Sequence, residues 1–462
     1  MKKEKINNVL ISFRDNKLKL CNIIFNEKIK EINSITDHEF DWADIVSIER
    51  RNEVFKKFVD NDVNDLLLVM PGGIDPHVHF NTPGFEIRED FTHASNAAIY
   101  GGTTSVIDMP CTSLPPVTNA INLKVKKNAL KGLGNVNTFF WGGVSGCNFD
   151  KKEIANNISE LADAGVVGFK VYVMSGMDTF SDLSYEQIEY VASIIKKTGL
   201  PMAVHAEDKE LICYREKRFK AMHRSDWKAY CECRDEQTEA AAVQKLIEIS
   251  QKTECRIHIV HLSSQLALKD IVKARKFGTN ITTETCPHYL HFTQKDFENN
   301  KIRNFLKTAP PVKLEEDKTA LWEGLQNGSI EFVTTDHAGS IPEVDKSSDD
   351  FWKVYGGIPG VEHRVPYMLS EGFLSGRLTL QKTIELLSVN AAKFFNLKEK
   401  GKLEIGKDAD MVFVDLWNSE IVKARNMHSK GKYTPFEGVK FNAIIKERFI
   451  NGKLMKYERS KQ

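Results

Sequence analysis

The 462-residue chain lacks the features that mark secreted and membrane-spanning proteins. No apolar run approaches the ~18 residues that a membrane-spanning helix needs. The basic start, MKKEKINNVLISF, has neither an apolar central segment nor a small-residue cleavage site. The 8 cysteines contain no CxxC pair and follow no regular spacing, which predicts reduced thiols rather than a disulfide framework. We therefore expect a cytoplasmic protein that makes no membrane contact.

An excess of charge of one sign is also missing. Lys and Arg total 64 and Asp and Glu total 63, so the formal net charge is +1 at pH 7. Nucleic acids and anionic membranes are bound by clustered positive charge, and this balance argues against both partners. The composition, 41% hydrophobic and 27% charged, is ordinary for a globular protein. A small-molecule partner remains the expectation.

Short apolar strands alternate with helical patterns through the middle of the chain. The predicted strands lie at 67–75, 103–110, 137–144, 167–173, 201–207, 256–263, 280–286 and 330–338. Helix-like stretches lie between them, near 91–101, 118–131, 151–164, 184–198, 235–252, 264–277 and 315–327. Eight strand–helix units in about 300 residues predict an α/β fold with a (β/α)8 TIM-like barrel.

Both ends of the chain contain short strands instead. NVLISF (8–13) and KLKLCNIIF (17–25) lie at one end, and strand-like stretches at 401–416 and 441–455 lie at the other. We expect a small β-sandwich domain formed by both termini, from residues 1–66 and 391–462. It would flank the barrel of residues 67–390. The charged stretch 35–65 has no clear pattern.

Ionisable residues stand at or near the ends of the predicted barrel strands. They are His77, His79, Lys170, His205, His261 and Asp336. Buried ionisable groups are costly unless they are paired, and the C-terminal rim of a TIM barrel is where chemistry occurs. His77 and His79 alternate on one strand and so share a face, which suits two imidazoles on one divalent ion. Asp75 just before them is a candidate to orient an imidazole.

Each of these residues also has an ordinary structural explanation. An HxH pair can be the polar face of a strand, and a single histidine can be a hydrogen-bonded core residue. Asp336 can cap a helix, and Lys170 can extend its amine toward solvent. The convergence of four histidines, a lysine and an aspartate on one rim nevertheless favours a metal centre. An amine among metal ligands would repel a cation, so Lys170 is the unexpected member.

The chain resembles the cyclic amidohydrolase branch of the amidohydrolase superfamily, which includes dihydroorotases, hydantoinases (dihydropyrimidinases) and allantoinases. The resemblance runs in family order over nearly the whole chain. It is carried by PGGIDPHVHFNTPG (71–84), AIYGGTTSVIDMP (98–110), GVVGFKVYV (165–173), PMAVHAED (201–208), RIHIVHLSS (256–264), TTETCPHYL (282–290), TTDHA (334–338) and GKLEIGKDADMVFVD (401–415).

The resemblance implies two divalent metal ions, usually Zn2+, and a lysine carboxylated by CO2. His77, His79, carboxylated Lys170 and Asp336 would hold one ion, and Lys170, His205 and His261 the other. Ligands of these types also accept Mn2+, Co2+ or Ni2+. The implied reaction is metal-assisted hydrolysis of a ring amide, in which Asp336 takes a proton and delivers it to the leaving nitrogen.

Within the branch, the sequence is most similar to allantoinases, which convert allantoin to allantoate. Dihydroorotases carry an arginine two positions after the second histidine; Asn81 stands here, as in allantoinases, and cannot pair with a carboxylate as arginine does. Hydantoinases place a tyrosine five positions after the lysine, where this chain has Ser175. However, DHAGS (336–340) and GGIPGVEHR (356–364) differ from bacterial allantoinases. Hydantoinase and dihydroorotase activities therefore stay open.

Four residues are candidate contacts of a cyclic ureide substrate: Asn81, His288, Ala309 and Gly357. Asn81 can equally serve the NTPG turn, and His288 can equally cap its loop. Two further protein classes are disfavoured. A non-enzymatic scaffold of the same fold would have lost ligands, and none is missing. A one-metal deaminase would not need Lys170. The resemblance also implies a homo-oligomer, a dimer or a tetramer.

Overall fold

The computed structural model describes residues 3–59 and 66–456. Parts of the two predicted terminal segments, 1–2, 60–65 and 457–462, lie outside the described residues. The strands are β1 (Glu4–Arg14), β2 (Lys17–Phe25), β3 (Ile29–Ser34), β4 (Phe40–Asp41), β5 (Leu68–Pro71), β6 (Gly73–His79), β7 (Thr103–Asp108), β8 (Asn137–Phe140), β9 (Gly142–Gly143), β10 (Phe169–Tyr172), β11 (Met202–His205), β12 (Ile257–Ile259), β13 (Ile281–Thr285), β14 (Phe332–Val333), β15 (His337–Ala338), β16 (Met411–Asp415), β17 (Glu420–Ile421), β18 (Lys440–Phe441), β19 (Ile444–Ile450) and β20 (Lys453–Leu454).

Helices fill most of the connections between barrel strands. They are α1 (Trp42–Ile45), α2 (Ile48–Phe55), α3 (Phe91–Tyr100), α4 (Ala120–Ala129), α5 (Lys151–Asp163), α6 (Tyr185–Ile195), α7 (Lys209–Ala221), α8 (Trp227–Cys233), α9 (Glu236–Thr253), α10 (Gln265–Lys276), α11 (Pro287–His291), α12 (Glu315–Asn327), α13 (Pro342–Asp345), α14 (Arg364–Tyr367), α15 (Leu380–Ile384) and α16 (Asn390–Phe394). Short 3-10 turns occur at Lys196–Thr198, Gln294–Glu298 and Ala424–Asn426, and π-helical turns at Met368–Leu374 and Glu385–Val389.

Side-chain caps explain where many of these helices begin. Asp90, Asp150 and Ser184 accept a hydrogen bond from a backbone N–H in the first turns of α3, α5 and α6. Asp235 and Ser264 do the same for α9 and α10. Such caps satisfy N–H groups that have no partner within the helix. They account for the close agreement between predicted and observed starts of the barrel helices.

The barrel strands form two parallel ladders. Two of the barrel strands are interrupted, and each of them contributes one part to each ladder. One ladder has the order β15-β6-β7-β8, and the other has the order β14-β13-β12-β11-β10-β9. The third barrel strand is broken at Trp141, between β8 and β9, and the eighth is broken at 334–336, between β14 and β15. Because β8 pairs with β7 while β9 pairs with β10, the broken strand connects the ladders. The eighth strand connects them again through β13 and β6, so eight strand positions close into a ring. The predicted (β/α)8 fold is confirmed.

Both chain termini contribute to one further sheet, as expected. Its order is β20-β19-β16-β5-β1-β2-β3, with β4 paired to β2. β5 lies between β1 and β16, so the predicted first barrel strand, 67–75, is wrong as a single strand. The chain changes sheets at Gly72, whose N–H donates to the carbonyl of Asp410 at 2.9 Å. The division of domains at residues 66 and 390 stays a prediction.

Helices α1 and α2 occupy the stretch for which the sequence showed no pattern, and α7 and α8 were not predicted. Within the described residues, no helix combines the length and the apolar character that crossing a membrane requires. The barrel positions its strand ends at one mouth, where the candidate site lies.

Candidate metal centre and active site

The six predicted metal ligands lie within barrel strands or just beyond their C-terminal ends. They are His77 and His79 in β6, Lys170 in β10, His205 in β11, His261 after β12 and Asp336 before β15. Lys170 is fully buried, and the four histidines are between 1% and 8% exposed. The structure therefore brings all six to one mouth, since parallel strands of a barrel end at the same rim.

His77, His79 and Asp336 form the first half of the centre. The Nε2 atoms of both histidines lie 3.1 Å from the same carboxylate oxygen, Oδ1 of Asp336. Potential ligand atoms of these three residues all lie within 4.8 Å of one another. On the opposite side of each ring, Nδ1 of His77 lies 2.6 Å from Glu284, and Nδ1 of His79 lies 3.2 Å from Thr112. Outer hydrogen bonds therefore direct both Nε2 atoms inward, as metal-binding histidines require.

His205 and His261 form the second half of the centre. The ring of His205 is oriented opposite to the rings of His77 and His79, because its Nδ1 rather than its Nε2 faces inward. Nδ1 of His205 lies 3.0 Å from Nε2 of His261. Nε2 of His205 instead faces outward, 2.9 Å from Glu207. Arg234 holds that carboxylate through its Nε at 3.0 Å and through a second short contact. The rings of His77 and His261 stack with centroids 5.4 Å apart, which joins the two halves.

Lys170 lies among these groups without a hydrogen-bond partner for its Nζ in the described part of the chain. Burial lowers the pKa of this amine to about 8. Nδ1 of His261 and Nε2 of His288 are likewise buried and have no partner among the described residues. Buried polar atoms that lack partners cost free energy. A bound cation would supply a partner for the ring nitrogen of His261, so the residues fit a divalent metal centre.

The electrostatics of the site favour a bound cation. Burial alone would raise the pKa of Asp336, but His77, His79 and His261 hold it well below its usual range. Burial opposes protonation of His79, yet Cys111 and Asp336 raise its pKa to about 10. The site therefore holds an ionised carboxylate and an imidazole that retains a proton without metal. A divalent ion would replace that proton.

Two ligand residues adopt strained backbone conformations. His261 has φ 41° and Asp336 has φ 49°, in the left-handed region that disfavours residues other than glycine. Strain of this kind is found where a site dictates the position of a side chain. Asp75 secures the neighbouring backbone: it accepts hydrogen bonds from the N–H of His77 at 3.2 Å and the hydroxyl of Thr335 at 2.6 Å. The expected role of Asp75 in orienting an imidazole is wrong; Glu284 and Glu207 do this.

The four predicted substrate contacts lie in different local environments. Asn81 is buried with φ 60°, and His288 is buried, which lowers the pKa of its imidazole to about 4. The N–H of Gly357 donates to the carbonyl of Lys307 at 2.9 Å. Ala309 precedes a cis-proline. The contact roles of all four residues stay predictions.

Comparison with known proteins assigns the chain to a family. A model of the Amidohydrolase family matches residues 68–455. The chain belongs to the amidohydrolase family. This confirms the predicted resemblance and the enzyme class, a hydrolase of amide C–N bonds. The family generally uses divalent metal ions, in agreement with the cluster of His77, His79 and Asp336.

Individual relatives of this amidohydrolase are known in sequence and in structure. The allantoinase of Rubrobacter xylanophilus is 33% identical over 392 residues, covering 84% of each chain. The allantoinase of Deinococcus radiodurans is 33% identical over 387 residues, again with 84% of each chain covered. Among solved structures, the L-hydantoinase (dihydropyrimidinase) of Arthrobacter aurescens superposes with a TM-score of 0.84. That protein is 28% identical, and the match covers 97% of this chain and 96% of that chain.

Proposed function

We propose that this amidohydrolase hydrolyses a ring C–N bond of a small cyclic ureide, with allantoin as substrate and allantoate as product. The observation that carries the proposal is the convergence of the six predicted ligands on one mouth of the barrel. The two curated relatives described above are both named allantoinase. The protein would work as a cytoplasmic homo-oligomer, a dimer or a tetramer.

Two divalent ions, Zn2+ in the first instance and Mn2+, Co2+ or Ni2+ as alternatives, would occupy the centre. His77, His79, Lys170 and Asp336 would hold one ion, and Lys170, His205 and His261 the other. When bound, such ions lower the pKa of a coordinated water and polarise a carbonyl group. The protein's own contribution is to orient the ligands from outside through Glu284, Glu207 and Thr112.

Lys170 would enter the centre as a carbamate. Its neutral amine attacks the carbon of CO2, a nitrogen–carbon bond forms as one C–O π bond opens onto oxygen, and the nitrogen releases one proton. The neutral amine thereby becomes an anion that has two oxygens. The lowered pKa of the buried amine increases the fraction that is neutral and nucleophilic. The lack of a partner for Nζ in the described residues is consistent with added atoms at this position.

Asp336 would carry a proton from the attacking water to the leaving ring nitrogen. Its carboxylate is ionised because His77, His79 and His261 hold its pKa low. It can therefore accept a proton from the attacking water and then deliver it to the ring nitrogen that leaves. Its Oδ1 lies 3.1 Å from the Nε2 atoms of both His77 and His79, which fixes the carboxylate within the centre.

Asn81 supports an uncharged ring as the substrate. It is buried near the ligands and offers a neutral amide, whereas a substrate carboxylate calls for a cationic partner such as arginine. The decisive experiment is hydrolysis by purified protein of allantoin, hydantoin, dihydrouracil and dihydroorotate, with product analysis and metal quantification. Allantoin should be the preferred substrate. Turnover of dihydroorotate would contradict the argument from Asn81.

Hydantoinase activity is the second candidate, since a solved L-hydantoinase is 28% identical over nearly the whole chain. Against it, the hydroxyl of Ser175, which replaces the expected tyrosine, donates to the carbonyl of Phe180 at 2.6 Å. Activity on hydantoin or dihydrouracil without activity on allantoin would establish this alternative. Protein that binds no metal and hydrolyses none of the four compounds would support a non-enzymatic scaffold.

The carbamate has its own test in Lys170→Ala. This variant should lose bound metal and at least 99% of activity, and short carboxylic acids such as acetate or propionate should restore part of both. Lys245→Ala, on the exposed face of α9, is the matched control and should behave like the unmodified protein. Full activity of Lys170→Ala without any added acid would rule the carbamate out.

A further inference from the structure

Strand β10 places a tyrosine directly beyond Lys170 on the same face. Tyr172 follows Lys170 by two residues, so both side chains point to one side of the strand, about 6.6 Å apart along it. The neighbouring residues Phe169 and Val171 point the other way and pack in the core outside the barrel. Nζ of Lys170 lies 4.9 Å from the centroid of the Tyr172 ring. Tyr172 therefore lies nearer the C-terminal end of β10 than Lys170, on the side of the mouth.

Packing on several sides fixes the ring of Tyr172. It stacks on the imidazole of His205, with centroids 5.5 Å apart and an interplanar angle of 25°. Phe180 packs edge-on against the ring of Tyr172, with the ring centroids 5.8 Å apart. Its hydroxyl lies 3.1 Å from Sγ of Cys111, and that sulfur lies 3.6 Å from Nδ1 of His79. Cys111 thus links the hydroxyl to the outer ring nitrogen of His79, while the ring of Tyr172 lies against His205 in the other half of the centre.

The hydrogen-bonding capacity of this hydroxyl is only weakly used. Among the described residues, the structure shows one partner for it, the thiol of Cys111. A thiol is a weak donor and a weak acceptor, whereas a phenol is a good donor. A carbonyl oxygen brought to the mouth would compete successfully with sulfur for that proton. Cys111 therefore holds the hydroxyl in position, and as a neutral thiol it would let the phenol donate to a better acceptor.

We propose that the hydroxyl of Tyr172 donates a hydrogen bond to the carbonyl oxygen of the ring amide under attack. The inference rests on the proposed function and adds a substrate-contacting residue to it. Negative charge develops on that oxygen during attack, and a fixed donor aimed at it lowers the barrier. Ser175 is unsuited to this task, because its hydroxyl donates to the carbonyl of Phe180 at 2.6 Å and accepts from the N–H of Met177 at 3.1 Å.

Tyr172→Phe tests the proposal by removing a single oxygen atom. Loss of one such donor typically lowers kcat by roughly 100- to 1,000-fold, and we expect a fall in this range for hydrolysis of the best substrate in the panel. Bound metal per chain and the melting temperature should stay at the unmodified values. Tyr190→Phe is the matched control, since its hydroxyl donates to the carbonyl of Lys151 at the surface, and it should leave kcat unchanged.

The outcomes separate this inference from the function on which it rests. Unmodified protein that is inactive on every cyclic amide would overturn the proposed function itself. Active unmodified protein with Tyr172→Phe within threefold of its kcat would overturn the inference alone. So would a loss of metal in proportion to activity, because Tyr172 would then act through the ligands. If the phenylalanine variant does not fold, Tyr172→Gln should exceed Tyr172→Leu in kcat, because only glutamine retains a donor; equal values would refute the proposal.

Discussion

Glu284 allows a quantitative test of how the centre orients its ligands. Its carboxylate is buried at 1% exposure and lies 2.6 Å from Nδ1 of His77 and 3.1 Å from Nε2 of His258. It also accepts the backbone N–H of His261 at 3.4 Å. Nearby His77 and His258 hold the pKa of this carboxyl well below its usual range, so it is ionised. One carboxylate therefore supports the ligand residues His77 and His261, together with His258 in β12.

Glu284→Gln keeps the shape and removes the charge. The amide oxygen can still accept from Nδ1 of His77, but a hydrogen bond to a charged acceptor is about twice as strong as a neutral one. A loss of about 1.4–2 kcal/mol corresponds to a roughly 10- to 30-fold weaker Zn2+ affinity, within the range known for outer partners of metal ligands. Glu284→Ala additionally leaves buried imidazole groups without a partner, at about 1–3 kcal/mol each, and should lower the free energy of unfolding.

Competition for Zn2+ between the protein and a chromophoric chelator measures the affinity, and thermal denaturation measures the stability. Glu331→Gln is the matched control. Glu331 pairs with Arg275 at 2.7 Å and accepts the N–H of Thr283 at 2.7 Å, and its side chain is 21% exposed. Its Zn2+ affinity should not change. Glu284→Gln with an affinity within twofold of the unmodified protein would refute the claim that this carboxylate directs His77 toward the metal.

Two further predictions concern buried charges. Arg234→Met leaves the carboxylate of Glu207 buried without its ion pair; we expect a loss of about 3–5 kcal/mol in the free energy of unfolding, and a loss below 1 kcal/mol in chemical denaturation would contradict this. Burial lowers the pKa of Lys307 to about 7, whereas an unfolded lysine titrates near pH 10.4. Between these pH values the unfolded chain binds more protons than the folded chain, so the free energy of unfolding should rise with pH. Across the whole window this rise should exceed that of Lys307→Met by up to about 4 kcal/mol. Denaturation of both proteins at pH 7, 8 and 9 measures the difference, and parallel pH profiles would show that the buried amine keeps its proton.

The barrel could be read from the sequence because its pattern is local. A run such as 202–204 is apolar over three residues, and caps such as Asp150 and Ser264 stand directly before helical periodicity. The pattern did not show that β5 belongs to the terminal sheet. A buried strand is apolar whichever sheet it joins, and only pairing with β1 and β16 decides between them.

The outer partners of the ligands could not be predicted in the same way. Glu284 stood within a recognised motif, yet its contact with His77 spans 207 positions of the chain. Glu207 follows His205 by two residues, and its hydrogen bond to that ring and its ion pair with Arg234 depend on the course of the intervening helices. The contact between Tyr172 and Cys111 spans 61 positions and has no signal in either segment alone.

The sequence by itself determined the family, the barrel and the identity of the candidate ligands. It could do so because each ligand stands at or near the end of its own strand, and parallel strands in a barrel end at a common rim. Only the tertiary structure decided which nitrogen of each imidazole faces the centre: Nε2 for His77 and Nδ1 for His205. That choice is made by the partner of the other ring nitrogen, Glu284 or Glu207, and such a partner is chosen by packing in three dimensions rather than by spacing along the chain.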